Sequence, residues 1–285
     1  MSTSVHHIEK DNTGVESGTS EAYLHHDRYE EEAALNKIRT AGGLSISPEL
    51  FEKIYLSPKN RVSNNLRSTW GNPTPLALVG FLMCNSPLTM ALLGWGGATG
   101  GGAAEVGCYW FFGGLIMLIC ALLELFLGNT FIGTVFGTFS GIWFVQGSTL
   151  VPWFNASIAY QPNDPATSST NPDFANTFAY FFVFLTILAV FYLIISVRTN
   201  IVFFTVFLLL VPCFGCLSGY YFSIGAGTPS LTLQHTAGGL SLGINILGWY
   251  LLFVQLLTTV DFPLSLPVGD LSHIIKGGSE RQKNG

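Results

Sequence analysis

The chain has 285 residues, of which 49% are hydrophobic and only 10% charged, and its mean hydropathy is +0.45. A soluble domain gives about a quarter of its residues to Asp, Glu, Lys and Arg, so this composition excludes an ordinary soluble fold. The net charge of −5 comes mostly from the N-terminal segment with its Glu30-Glu31-Glu32 run, and it offers no basic footprint for nucleic acid.

Residues 1–45 are polar and poor in aromatic side chains, with His6, His7, His25 and His26 scattered among acids. Such a segment cannot bury enough apolar surface to order itself, so a solvated, disordered cytoplasmic tail is expected. It has no apolar run of the signal-peptide kind, which leaves the first span to direct insertion. Residues 46–71 form a juxtamembrane segment. Ser47-Pro48-Glu49 has the form of a helix start: a capping Ser, Pro at the first helical position and an acid in the first turn. Leu50, Phe51, Ile54 and Tyr55 then share one face, to lie in the bilayer interface or against the cytoplasmic ends of the spans.

Six apolar stretches follow, near 75–95, 104–127, 130–152, 174–196, 201–222 and 237–259, each close to the ~20 residues a spanning helix needs. They predict an all-α membrane protein with a six-helix transmembrane domain over 72–262 and a C-terminal tail over 263–285. Basic residues fix the orientation. Eight of the 12 lysines and arginines precede the first stretch, Arg198 lies in the fourth connection, and Lys276, Arg281 and Lys283 follow the sixth. With the N-terminus in the cytoplasm all 12 fall on the cytoplasmic side, as the positive-inside rule requires. Both termini are then cytoplasmic. Trp95 and Trp153 sit near predicted span ends, where aromatic belts form. The connection Leu127-Gly128-Asn129 is so short that spans two and three must be antiparallel neighbours. The Gly-rich 94–102 stretch and the 154–173 loop face outside, and Asn155-Ala156-Ser157 is a glycosylation sequon on that side, close to the membrane.

The five cysteines all lie in apolar stretches. Cys213 and Cys216 make a CxxC without a second pair or a histidine, and read as small packing residues rather than a redox or zinc site. Gly133, Gly137 and Gly141 on span three, Gly215 with Gly219, and Gly239 with Gly243 are spaced for close helix contacts and subunit contacts. Phe139 lies about 200° around its helix from Gly137 and Gly141 by the 3.6-residue period. It therefore points either to lipid or into a pore. Phe81, Asn85 and Thr89 on span one, and Thr205, Leu209 and Cys213 on span five, form polar stripes that fit a pore lining or interhelical hydrogen bonds equally.

Ionisable groups inside a membrane are costly and are functional candidates by default. Glu105 begins span two on the outer side, where it can reach water, and Asp261 lies just past span six. Glu124 is about a turn inside the cytoplasmic end of span two, and fits either a proton-coupling carboxyl or a hydrogen-bonded clamp on neighbouring backbone or Asn129. Span one opens with Asn72-Pro73-Thr74-Pro75. The prolines cost little there because first-turn amides have no intrahelical partner, and Asn72 sits beside a helix N-terminus that can attract an anion. Asn72, Pro73, Pro75, Asn129 and Thr130 share the cytoplasmic face with Glu124 and can form one vestibule.

These residues resemble the acetate uptake transporter family, the acetate/ammonium or YaaH type, in its fungal form. The resemblance spans about 48–272. It rests on Asn72-Pro73-Thr74-Pro75-Leu76, on Glu124 followed by Gly128-Asn129-Thr130-Phe131, on Ala237-Gly238-Gly239, and on Leu266-Pro267-Val268-Gly269-Asp270. It implies a six-helix protomer in a hexameric ring, each protomer with its own path for acetate or another short monocarboxylate, proton-coupled, with some members linked to ammonium export. Its constriction is a Phe-Leu-Tyr trio, which falls on Phe81, Leu209 and Phe139, so the usual Tyr hydroxyl is absent. The usual Ala of the first motif is Thr74, and the Gly after Leu76 is Ala77.

The leading reading is a plasma-membrane transporter or channel for acetate-like acids, working in lipid as a homo-oligomer and without a cofactor or metal. Ammonium permeation or export is an alternative, as is a non-conducting acid-stress sensor. No span carries a nucleophile, base and orienting group together, so an enzyme is not expected.

Overall fold

A computed structural model describes residues 70–264, 266–269 and 271. The expected N-terminal tail, the helix at Ser47 and most of the C-terminal tail lie outside these residues. Each of the six apolar stretches is a helix: α1 (Thr74–Leu93), α2 (Gly100–Phe126), α3 (Thr130–Leu150), α4 (Pro172–Ser196), α5 (Ile201–Gly225) and α6 (Leu231–Thr259). Five are long and apolar enough to cross a membrane. The exception is α3, whose 21 residues are diluted by Thr130, Thr134, Thr138, Gln146 and several glycines.

Local chemistry sets the ends. Asn171 accepts from the Asp173 and Phe174 amides at 2.9 and 3.2 Å to start α4, and Asn200 accepts from the Phe203 amide at 2.8 Å to start α5. Helix α6 begins six residues before the expected 237, because Ser230 caps Leu233 and draws the polar Thr232–Thr236 turn into the helix. Hydropathy does not register a polar turn whose helicity comes from a cap. Between α2 and α3, Gly128 takes φ 80°, which lets the Asn129 amide reach the Glu124 carbonyl at 2.8 Å. That αL reversal turns the chain within three residues. Helix α2 is not regular. It opens as a 3₁₀ turn, runs as a π-helix over Tyr109–Ile116, and becomes α-helical at Met117.

Helix α1 packs on α2, α2 on α3, α4 on α5 and α5 on α6, and α6 returns to α1. Helices α3 and α4 are joined by a 2.7 Å hydrogen bond between the Thr138 and Tyr192 hydroxyls. The α1–α6 seam is polar. Asn85 donates to Asn245 at 2.8 Å, Asn245 donates to Thr89 at 2.8 Å, and the Thr89 and Ser241 hydroxyls are 2.6 Å apart. The polar stripe of span one therefore bonds a neighbouring helix. Asn245→Leu should lower the melting temperature of the detergent-solubilised protein, at a cost of about 1–2 kcal/mol; an unchanged melt would deny the network a holding role.

The glycine spacing was only half informative. A Cβ on Gly133 would lie 2.9 Å from Leu125, and one on Gly137 would meet Ala121 at 3.7 Å, so both face α2. Gly141, Gly215 and Gly239 face open space within the chain. Tighter approaches occur at glycines outside those pairs: Gly80 lies on the Phe112 carbonyl, Gly113 on Trp143 and Gly248 on Leu82. Spacing shows which glycines share a face, not which side holds a neighbour.

Part of the C-terminal segment docks on the bundle. Gly269 accepts from the Ile201 amide at 2.9 Å, the Leu271 amide donates to Thr199 at 3.0 Å, and Val268 is buried.

Candidate functional site

The start of α1 is held by its own sequence. Asn72 Oδ1 accepts from the Thr74 amide at 2.8 Å, and Pro73, Thr74 and Pro75 are buried. Of the four residues Pro73 to Leu76, two are thus prolines without an N–H, and a third, Thr74, has its amide bonded. Little donor capacity remains for an anion, which favours Asn72 as the device that starts the helix. Asn72→Ala should cost about 1 kcal/mol of stability, read as a lower melting temperature. Acetate uptake per surface-expressed molecule should be nearly unchanged, and a fall in that quantity would restore the anion role.

Glu124 lies beneath this turn, completely buried. Its Oε1 accepts from the Thr74 hydroxyl at 2.5 Å and its Oε2 from Asn129 Nδ2 at 2.6 Å. One carboxyl thereby ties the start of α1 to the α2–α3 turn. Each carboxyl oxygen holds a partner from a different element, so the geometry is that of a clamp. Asn129 is buried with it, whereas Thr130 is exposed at the start of α3. Thr74 is the partner that the residue-by-residue reading left out of the vestibule. The departure from the Ala that the resemblance implies at this position was its visible signal. On the outer side, Glu105 is half-buried and accepts from the Tyr109 hydroxyl at 3.0 Å.

Toward the middle of the bundle the lining becomes aromatic. The rings of Phe81 and Phe139 meet edge to face with centroids 5.4 Å apart, and Trp143 lies 6.1 Å from Phe81. Phe139 is buried, so its side chain points inward and not to lipid. Trp143 is seated against Gly113 and stacks on Tyr109 at 5.5 Å. A small apolar cavity beside Phe139 is lined by Leu185 and Tyr192 of α4 and by Phe207 and Phe214 of α5. Leu209, on the neighbouring face of α5, is half-buried and reaches the Gly243 position of α6. The fold thus brings Phe81 and Phe139 together, with Phe207 and Phe214 as the α5 side chains beside Phe139. Neither of those two was singled out from the sequence, because the reading of span five followed the Thr205–Leu209–Cys213 stripe and both lie off it.

A model of the GPR1/FUN34/yaaH family matches residues 55–273, most of the chain. The chain belongs to that family. Among its relatives, protein alcS of Aspergillus fumigatus is 41% identical over 244 residues, which cover 84% of this chain and 89% of that protein. Ammonia transport outward protein 2 of Saccharomyces cerevisiae is 28% identical, over 70% of this chain and 68% of its own length. Acetate transporter protein patA of Aspergillus clavatus is also 28% identical, over 72% and 80%. A solved structure, the bacterial acetate channel SatP, superposes with a TM-score of 0.56 at 23% identity, covering 70% of this chain and 99% of that one. At that identity the match shows a shared fold. This family member is thus a multi-pass helical membrane protein, and the Glu124 clamp and the Phe81–Phe139 pair are its two distinctive interior features.

Proposed function

We propose that this family member is a plasma-membrane transporter or channel for acetate and other short monocarboxylates. The observation that carries the reading is the edge-to-face contact of the half-buried Phe81 with the buried Phe139 within the helix bundle. An apolar constriction of this kind excludes hydrated ions and passes small solutes selectively. Membership in a family with a relative named as an acetate transporter supports the choice of substrate. In this reading α3 is a sixth span, both termini are cytoplasmic, and protomers assemble as a hexameric ring, each with its own path. Leu209 completes the constriction with Phe81 and Phe139. Asn72, Pro73, Pro75, Asn129 and Thr130 frame the cytoplasmic mouth, and Glu124 holds that mouth together. Transport moves a proton with each monocarboxylate.

The test is uptake of isotope-labelled acetate in cells lacking other carriers. Saturable uptake that propionate inhibits and methylammonium does not is the expected result. Inhibition by methylammonium alone would move the assignment to ammonium, the substrate that the name of the yeast ammonia relative suggests. No uptake of either at normal surface expression would leave the sensor reading.

A further inference from the structure

Gln255 of α6 is only 1% exposed, and neither its Nε2 nor its Oε1 has a hydrogen-bond partner. Buried polar groups are nearly all paired, and an amide with both ends empty is a costly feature to keep. The neighbouring fold explains why protein does not satisfy it. Helix α6 turns one seam toward α1: Gln234 bonds Leu92, Ser241 bonds Thr89, Asn245 bonds Asn85, and Gly248 lies on Leu82. Steps alternating between four and three residues keep a face toward one neighbour, and continuing them from 248 gives Leu252 and then Gln255, both buried. Extending the antiparallel pairing of 89 with 241, 85 with 245 and 82 with 248 brings Gln255 level with Pro75. Pro75 has no N–H to offer. Beside it, Thr74 donates its hydroxyl to Glu124 and its amide to Asn72, and the Ala77 amide bonds Pro73.

We propose that Gln255 is a substrate-contacting residue whose amide pairs with the undissociated carboxyl group of a short monocarboxylic acid, between α6 and the first turn of α1. This rests on the monocarboxylate reading above. An amide presents one donor and one acceptor side by side, and an undissociated acid presents the complementary O–H and C=O. One small molecule then fills both empty valences. A carboxylate engages Nε2 alone and sets its charge against Oε1. An ammonium ion engages Oε1 alone. Transfer of the acid as a neutral molecule carries its proton along and requires no titration of Glu124, whose oxygens already accept from Thr74 and Asn129.

The test is Gln255→Met in the full-length protein, because Met matches the length of Gln without its polar atoms. Removing an unpaired amide should leave the melting temperature of the purified protein equal or higher. At the same time the KM for labelled acetate should rise roughly tenfold, and the stabilisation of the protein by added acetate should be lost. Acetamide carries the same donor and acceptor at any pH, and should compete with acetate in the wild type but not in the variant. An unchanged KM in the variant, beside a wild type that transports acetate, overturns the role of Gln255 and leaves the functional reading intact. Absence of acetamide competition in the wild type overturns the neutral-acid pairing. A variant that fails to assemble overturns the proposal as well, since it would mean the amide holds the bundle. A wild type that neither takes up acetate nor is stabilised by it removes the functional reading, and this inference with it.

Discussion

Glu124→Ala is expected to cause the largest loss of assembled protein of any single change at the cytoplasmic end. The substitution leaves the Thr74 hydroxyl and the Asn129 amide buried without the oxygens they donate to. Each donor that loses its acceptor costs about 1–3 kcal/mol, so a combined loss of up to about 6 kcal/mol is a large part of a typical folding stability. It should appear as reduced surface expression and smaller oligomers in detergent. Glu124→Gln separates the clamp from a proton-coupling role. Its carbonyl oxygen can accept one of the two hydrogen bonds, and rotation of the Thr74 hydroxyl or a flip of the Asn129 amide lets its NH₂ donate to the other partner. The Gln variant should therefore assemble and keep the wild-type pH dependence of acetate uptake. Loss of that dependence in an assembled Gln variant would make Glu124 the coupling group.

Phe81→Ala should widen the path. The ring makes the edge-to-face contact with Phe139 and a second contact with Trp143, and truncation removes both. Size discrimination by an apolar constriction amounts to about 1–3 kcal/mol per methylene. The uptake of lactate relative to acetate should then rise roughly tenfold, with surface expression retained. Leu209→Ala should act in the same direction but more weakly, since Leu209 lies against α6 at Gly243 and not against the Phe81–Phe139 pair. An unaltered substrate profile in both variants would remove these side chains from the constriction. Phe139→Tyr is the complementary change, because it adds a hydroxyl to an aromatic lining and should alter acetate affinity.

Much of the fold was legible in the sequence because lipid imposes a length rule. A helix that keeps its backbone bonded inside hydrocarbon needs about 20 apolar residues, and such runs stand out whatever surrounds them. The three-residue α2–α3 turn could be read in the same way, since Leu127-Gly128-Asn129 admits only an antiparallel pair. Direction around a helix was harder to read. The 3.6-residue period placed Phe139 opposite the glycine face, but could not tell lipid from interior until α1 brought Phe81 against it. The π-helical stretch Tyr109–Ile116 shifts the facing of α2, and Gly113 within it receives Trp143. No periodic reading anticipates a register change of that kind.

The sequence by itself determined that the chain enters a membrane and which family it joins. Those properties depend on composition and on short motifs, both local in the chain. Tertiary structure alone decided that the carboxyl of Glu124 binds Thr74 of another helix, that Asn85 and Thr89 bond α6, and that Gln255 is left with an empty amide. Each of these depends on partners tens to more than a hundred residues away. Hydrogen bonding and desolvation act over ångströms in space, so only the packed bundle reveals which polar groups are satisfied and which remain available to a ligand.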